Sequence, residues 1–339
     1  MRYPYIDNAK GFAMLLVIWA HINSSGPLAT FAYSFHMPVF FLISGLMYKS
    51  AKYPNFSDYV RVQFKSLLIP YAVYSFVWWL IWVIYSLASH SDVASYWRPL
   101  LQTIVAQGSQ DYLVHNTALW FVPCLVAVKL MYYFIEKTPV CARLVFCCGL
   151  AALNLLVINH FPLWKSLPWN FDTALMAIPF YCLGNLVGNV GQREMTTYVN
   201  SHKLLMTLSC LVVFACLMFS AFNGGERISM GHSYYGKGVI AFYLKAVSGS
   251  VALVLFSMLM TPYLKWGIVN HIGRKSFDYM ATNVPVKGIM IVMYCKILGI
   301  PQLDVWAGVA HSIVPFILTF LVCTCLTFVA DFIRGKIYA

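Results

Sequence analysis

The sequence predicts an all-α membrane protein, a polytopic bundle of about ten transmembrane helices. Of its 339 residues, 60% are hydrophobic and only 10% are charged, and the mean hydropathy is +0.71. Apolar runs of about 18 to 25 residues recur along the chain, and a helix of about 20 residues crosses the hydrocarbon layer of a bilayer. Because a soluble domain of this size does not need so much apolar side chain, the composition excludes an ordinary soluble enzyme.

Each apolar run is predicted as one span from its length and its low content of charged residues. The second run is short and depends on flanking residues to cross the bilayer. The predicted spans are 6–26, 34–48, 63–87, 117–135, 141–159, 173–192, 204–223, 239–261, 277–299 and 308–333.

The distribution of Lys and Arg predicts the orientation of these spans. With the N-terminus in the cytoplasm, fifteen basic residues fall in cytoplasmic segments and four in outer segments. This asymmetry predicts that the C-terminus is cytoplasmic as well. The net charge of +12 is therefore a topology signal with some attraction for anionic membrane lipid, and it does not indicate nucleic-acid binding. Short connections predict one membrane-embedded domain over residues 1–339, with no separate soluble domain.

The ten cysteines do not indicate a disulfide framework or a metal site. Nine of them fall inside predicted spans, and the tenth, Cys141, lies at a cytoplasmic edge. Neither Cys147-Cys148 nor the Cys323/Cys325 pair has a second pair or a nearby histidine at ligand spacing, so we interpret them as small packing residues.

A lysine, a histidine and an aspartate in the first span are the strongest candidates for chemistry. Lys10 and His21 are eleven positions apart, a spacing that returns to within about 20° of the same helix face, roughly 16 Å further along. We expect Lys10 at the cytoplasmic edge and His21 near the middle of the membrane. Asp7 precedes Lys10 by three residues and is expected to share that face. An ionisable side chain at such depth needs a polar cavity or a partner, so His21 is either functional or a neutral ring bonded to a neighbouring helix.

The second span opens with "FHMPVFFLISG", residues 35–45. His36 lies near the outer end, where an amphipathic ring is at home without a function. Ser44 and Gly45 allow another helix to approach closely. By these rules alone, the segment is a packed helix with a polar edge.

Four further lysines fall inside predicted spans. Lys245 and Lys296 lie near span ends, where their side chains are expected to reach the interface. Lys129 and Lys287 lie deeper, which makes them candidates for lining a polar cavity.

"IDNAKGFAMLLVIWAH" followed by "FHMPVFFLISG" resembles the opening of the acyltransferase 3 family of integral-membrane O-acyltransferases, especially its fucose 4-O-acetylase-like branch. In that family a basic residue, ten residues and a histidine occupy the first helix, and Lys10 and His21 match this pattern. Later family landmarks are matched in order by "FKSLLIPY" (64–71), "LWFVPCL" (119–125), "YCLGNLVG" (181–188) and "IGRKSF" (272–277).

The resemblance implies an enzyme of the bacterial inner membrane that moves an acyl group, most often acetyl from acetyl-CoA, onto a sugar hydroxyl. The acceptor would be a cell-envelope polysaccharide, such as O-antigen of lipopolysaccharide, capsule or exopolysaccharide, or its lipid-linked precursor. Acetyl-CoA would be a co-substrate, and no permanently bound cofactor or metal is implied. Arg61 and Lys65 stand where the family often has two arginines three apart, and Asn283 stands where many members have histidine.

The resemblance implies a role for each candidate residue. His21 would be the general base for the hydroxyl or a transient acyl carrier, and sequence leaves both open. Asp7 and Lys10 would orient the helix and bind donor phosphate. His36 is expected to help bind the acceptor.

Four further residues complete the predicted substrate-binding set. Ser44 is expected to line the cavity. Arg61 and Lys65 lie on the predicted cytoplasmic face, where cations can engage the phosphates of the donor. Asn283 takes the place of the family's histidine.

The rival interpretation is a proton-coupled transporter or flippase of lipid-linked sugars that uses His21 in proton relay. Such proteins carry several intramembrane carboxylates or broken, paired helices. Here only Asp278 and Asp331 approach a span interior, both near predicted ends, and no internal repeat is evident. The sequence therefore favours the enzyme over the transporter.

Overall fold

A computed structural model of the chain describes residues 3–91, 93–107, 113–156, 167–263 and 267–337. Within these ranges the chain is almost entirely helical and contains no β-strand, so the predicted all-α class is confirmed.

Sixteen α-helices occur in the described ranges, and a π-helical turn, Phe64–Leu68, joins the fourth to the fifth. The helices are α1 Pro4–Ile22, α2 Pro27–Tyr33, α3 His36–Leu46, α4 Phe56–Gln63, α5 Ile69–Ala88, α6 Arg98–Val105, α7 Phe121–Ile135, α8 Val140–Leu156, α9 Phe171–Val190, α10 Gln192–Ser201, α11 Lys203–Phe222, α12 Val239–Met260, α13 Gly267–Arg274, α14 Ser276–Leu298, α15 Gln302–Ala307 and α16 Val309–Ile337.

Eight helical segments of the described chain are long and apolar enough to cross a bilayer, and Val140–Leu156 is a shorter apolar helix. This confirms a multi-pass membrane protein, while the count of ten spans and the cytoplasmic termini stay predictions. The eight segments are Pro27–Leu46, Phe56–Ala88, Thr117–Ile135, Pro168–Val190, Lys203–Phe222, Val239–Met260, Ser276–Leu298 and Val309–Lys336.

The boundary between the first two predicted spans differs from the prediction. The first span was predicted to run to residue 26, but α1 ends at Ile22, and α2 begins at Pro27 after the cap residue Gly26. Asn, Ser, Gly and Pro in this connection favour a turn over a continued helix. The apolar segment Pro27–Leu46 therefore begins earlier than the predicted 34–48 and reaches the length that a span needs.

The residues group into two compact units. The first unit comprises residues 1–40, 191–228 and 235–339, and the second comprises residues 41–190 and 229–234. The boundary falls inside α3. The single membrane-embedded domain stays a prediction.

In the first unit, α1 packs closely against α13 through two glycines. A Cβ at Gly11 would overlap the carbonyl oxygen of Val269, and a Cβ at Gly273 would overlap that of Asp7. Such contacts let two helix backbones approach more closely than larger residues allow. They fix the N-terminal half of α1 in place.

In the second unit, the end of α3 packs against α9 in the same way. Cβ atoms at Gly45 and Gly184 would overlap the carbonyl oxygens of Tyr181 and Leu42. Beside this contact, the rings of Tyr132 and Tyr181 lie 4.9 Å apart between centroids. The small residues of "YCLGNLVG" thus serve packing in this unit.

Candidate functional site

His21 lies in the last turn of α1, because the turn after Ile22 ends the helix one residue beyond the histidine. Its predicted depth near the middle of the membrane stays a prediction. The side chain is partly exposed, yet its Nδ1 is buried and has no hydrogen-bond partner among the described residues. A ring nitrogen in this state can accept or donate a proton once a ligand enters.

Two aromatic contacts connect His21 to His36. The ring of Tyr33 is edge-on to both histidines, with centroids 6.2 Å from His21 and 4.7 Å from His36. His36 Nδ1 lies 2.8 Å from the carbonyl oxygen of Ala32. Because a carbonyl oxygen only accepts, Nδ1 carries the proton, and a neutral His36 keeps its lone pair on Nε2.

Two cations lie at the same end of α1. Lys287 Nζ donates to the carbonyl oxygen of His21 at 2.9 Å. Arg227 Nη1 donates to the carbonyl oxygen of Ser24 at 2.6 Å, and its guanidinium lies 4.5 Å from the centroid of the Tyr33 ring. Cations are favourable beside the last carbonyls of a helix.

Asn283 of α14 is fully buried beside His21. Its amide nitrogen donates to the carbonyl oxygens of Tyr279 and Met280 at 3.0 and 2.8 Å. Its Oδ1 is left without a hydrogen-bond partner in the described part of the chain. We call the set His21, Tyr33, His36, Arg227, Asn283 and Lys287 the His21 cluster.

The other residues predicted for the first span lie away from this cluster. Asp7 is buried and Lys10 is partly buried in the N-terminal half of α1. Lys10 and His21 are eleven positions apart in the helix, which is about 16 Å along its axis. Lys10 and His21 therefore cannot touch the same reacting atoms, although they can engage two ends of one long molecule.

Ser44, Arg61 and Lys65 belong to the second unit. Ser44 is partly buried in α3, while Arg61 in α4 and Lys65 in the π-helical turn are exposed. Lys129, one of the two deep lysines, donates to Gln63 Oε1 at 2.9 Å in the same unit. The predicted substrate roles of Ser44, Arg61 and Lys65 stay predictions.

Two members of the His21 cluster were not predicted as part of a site. Arg227 is one of the four basic residues of the predicted outer segments, and Tyr33 is one of many tyrosines, so neither stands out in the sequence. Lys287 did give a signal, because a lysine deep in an apolar span is costly without a role. The structure brings Lys287 together with His21, His36 and Asn283.

The cluster has a base and hydrogen-bonding side chains, which an acyl transfer to a hydroxyl requires, and two cations beside them. In the described residues, no group of three His, Cys, Asp or Glu side chains could hold a metal ion.

Comparison with known proteins agrees with this chemistry. No curated protein and no solved structure matches the chain. A family model described as an acyltransferase domain matches residues 3–330, which includes α1, the His21 cluster and nearly all of both units. The chain belongs to the acyltransferase 3 family and is a multi-pass membrane acyltransferase.

Proposed function

We propose that the protein transfers an acetyl group from acetyl-CoA to a sugar hydroxyl of a cell-envelope polysaccharide or its lipid-linked precursor, in the bacterial inner membrane. The observation that carries this proposal is the His21 ring at the end of α1, whose buried Nδ1 makes no well-formed hydrogen bond to a described residue. His36, Asn283 and two cations surround it. Membership of the fucose 4-O-acetylase-like branch stays a prediction.

In the proposed reaction His21 removes the proton of the acceptor hydroxyl. The hydroxyl oxygen then bonds to the thioester carbonyl carbon, and the carbon–sulfur bond breaks. The leaving thiolate takes the proton from the imidazolium, which yields CoA and the O-acetyl sugar. His36 Nε2 and Asn283 Oδ1 are acceptors that could orient hydroxyl groups of the sugar.

The spacing along α1 suits the shape of the donor. Acetyl-CoA has its phosphates at one end and its thioester at the other end of the pantetheine arm. Lys10 is a cation about 16 Å from His21, so it could bind phosphate while the thioester reaches the histidine. Asp7 is proposed to orient this half of α1.

The alternative mechanism makes His21 an acyl carrier. The acetyl group would first move to a ring nitrogen of His21 and then to the hydroxyl. Incubation with labelled acetyl-CoA in the absence of acceptor separates the two mechanisms. A carrier leaves acetyl label on the protein that is absent from His21→Ala, whereas a general base leaves none.

The test of the function is expression in a bacterial host whose surface glycan lacks O-acetylation. Wild type, His21→Ala and the exposed control His202→Ala are compared at equal membrane levels, and glycan mass and base-labile acetate are measured. We expect an added acetyl mass with wild type and His202→Ala, and a loss of about a hundredfold or more with His21→Ala. Acetylation that survives in His21→Ala would contradict the role of His21. An unchanged mass with every variant, across several glycans, would favour the flippase.

A further inference from the structure

Arg227 and Lys287 bring two positive charges to one end of α1. Neither side chain forms an ion pair with any residue that the structure describes. Glu226 is the neighbour of Arg227 in the sequence, but it forms an ion pair with Lys237, with 3.4 Å between Glu226 Oε1 and Lys237 Nζ. Lys287 is partly buried in α14, where a cation without a counter-ion is costly, whereas Arg227 is exposed and open to a ligand.

Most of the donor groups of these two side chains make no hydrogen bond to a described residue. An arginine has five N–H donors and a protonated lysine has three, and within the described ranges each side chain gives one hydrogen bond to a backbone carbonyl. The guanidinium of Arg227 lies over the ring of Tyr33, 4.5 Å from its centroid, and this cation–π contact favours its position near His21. A planar guanidinium and a nearby ammonium are the groups that bind phosphate and carboxylate oxygens.

We infer that Arg227 and Lys287 form an anion-binding subsite for the acceptor, which takes a phosphate or carboxylate carried close to the hydroxyl that is acetylated. This inference rests on the proposed function. The phosphates of acetyl-CoA do not fit here, because the pantetheine arm separates them from the thioester that must reach His21. The substrate class is thus an anionic glycan, in which the charge comes from a uronic acid or from a sugar phosphate such as a lipid-linked precursor.

A purely structural role makes a different prediction. Both cations lie at the C-terminal end of α1, where any cation stabilises the helix. Loss of such a cap lowers stability but does not discriminate between charged and neutral acceptors. The experiments therefore measure anion binding and acceptor preference beside stability.

The first experiment measures binding on the purified full-length protein in detergent micelles. Thermal unfolding is followed at constant ionic strength with inorganic phosphate, glucose 1-phosphate, glucuronate or neutral glucose. A ligand that binds only the folded state raises the melting temperature. Phosphate and carboxylate as separate probes distinguish the two sources of charge.

We expect at least one anion to stabilise wild type, and glucose to have no effect. Arg227→Ala and Lys287→Met should lose this stabilisation. The matched controls Lys237→Ala, from the same loop, and Lys296→Met, from the same helix, should keep it. Absence of anion stabilisation in wild type, or its persistence in both Arg227→Ala and Lys287→Met, overturns the inference.

The second experiment measures acetyl transfer to charged and neutral glycan acceptors. Loss of a charge-assisted hydrogen bond should raise the KM for an anionic acceptor by about ten- to a hundredfold. The KM for acetyl-CoA should not change, and Arg227→Lys should recover part of the loss. An equal effect on neutral and anionic acceptors overturns the inference and keeps the proposed function. Anion stabilisation without any acetyl transfer keeps the subsite and contradicts the proposed function.

Discussion

The two ends of α1 are built in opposite ways. At the N-terminal end, Gly11 and Gly273 bring α1 and α13 into backbone contact. Asn8 donates to Thr261 Oγ1 at 2.8 Å, and its own Oδ1 accepts from Asn270 at 3.3 Å. At the C-terminal end, rings and long cationic side chains surround His21, and several polar atoms have no partner in the described ranges.

The difference indicates that the N-terminal end of α1 anchors the helix and that the C-terminal end serves activity. Close glycine contacts and satisfied amides anchor the N-terminal end, since backbone in contact with backbone cannot shift without separating the helices. Unpartnered polar groups at the C-terminal end cost stability, and proteins retain such groups where a ligand satisfies them. An anchored helix can therefore hold His21 in a defined position while its surroundings stay open to substrates.

The largest effect on the anchored end should come from Gly273→Ala. The added Cβ would overlap the carbonyl oxygen of Asp7, and backbone cannot move aside as a flexible side chain can. We expect the free energy of unfolding to fall by about 3 kcal/mol, measured by denaturant unfolding in micelles.

Gly267→Ala is the matched control in the same helix. A Cβ at Gly267 meets nothing within 4 Å, so stability should stay the same or rise slightly. Equal stability of the two variants would show that the contact between α1 and α13 is not the anchor that we infer.

The sequence predicted where most helices lie better than it predicted the position of His21 within its helix. Apolar runs locate most helices well because the hydrocarbon core demands about 20 apolar residues. His21 also stood out, because a histidine is rare in such a run. Its exact place at the helix end was missed, since the turn residues after Ile22 were included in the span.

The partners of His21 could not be found by periodicity. Arg227 lies more than two hundred residues away in the sequence, and only the packing of the first unit brings it to Ser24. Tyr33 gives no signal among 22 tyrosines. Asn283 was singled out because the family pattern has histidine at that position, which shows that resemblance can reach long-range contacts that local rules cannot.

Two asparagines should show a smaller effect, which distinguishes a residue that only stabilises the fold from one that also supports activity. Asn8 and Asn23 each make an interhelical amide hydrogen bond, Asn8 to Thr261 at 2.8 Å and Asn23 to Ser312 at 2.9 Å. Replacement of either by alanine should cost about 1 to 2 kcal/mol of stability. Only Asn23→Ala should also lower acetyl transfer, by about tenfold, because Asn23 lies two residues from His21 and small displacements there matter. Equal loss of activity in both variants would contradict the inference that the two ends of α1 have different roles.

The smallest effect concerns the pH dependence of stability at the N-terminal, anchored end of α1. His271 in α13 packs its ring against Phe328, with centroids 5.1 Å apart. Burial, together with the nearby charges of Arg274 and Lys275, lowers the pKa of His271 below its usual value of 6.5. The folded state thus prefers the neutral ring, so its contribution to stability is complete above pH 6.5 and is lost as the pH falls through the lowered pKa.

We expect the melting temperature of wild type to decline by roughly 2 °C more than that of His271→Gln between pH 8 and pH 5. The exposed His202→Gln should follow wild type. Because His271 lies on the helix that anchors α1, this decline should occur without loss of anion stabilisation at Arg227 and Lys287. A parallel loss of both would mean that the two ends of α1 are coupled, and that the N-terminal contact does more than hold the helix in place.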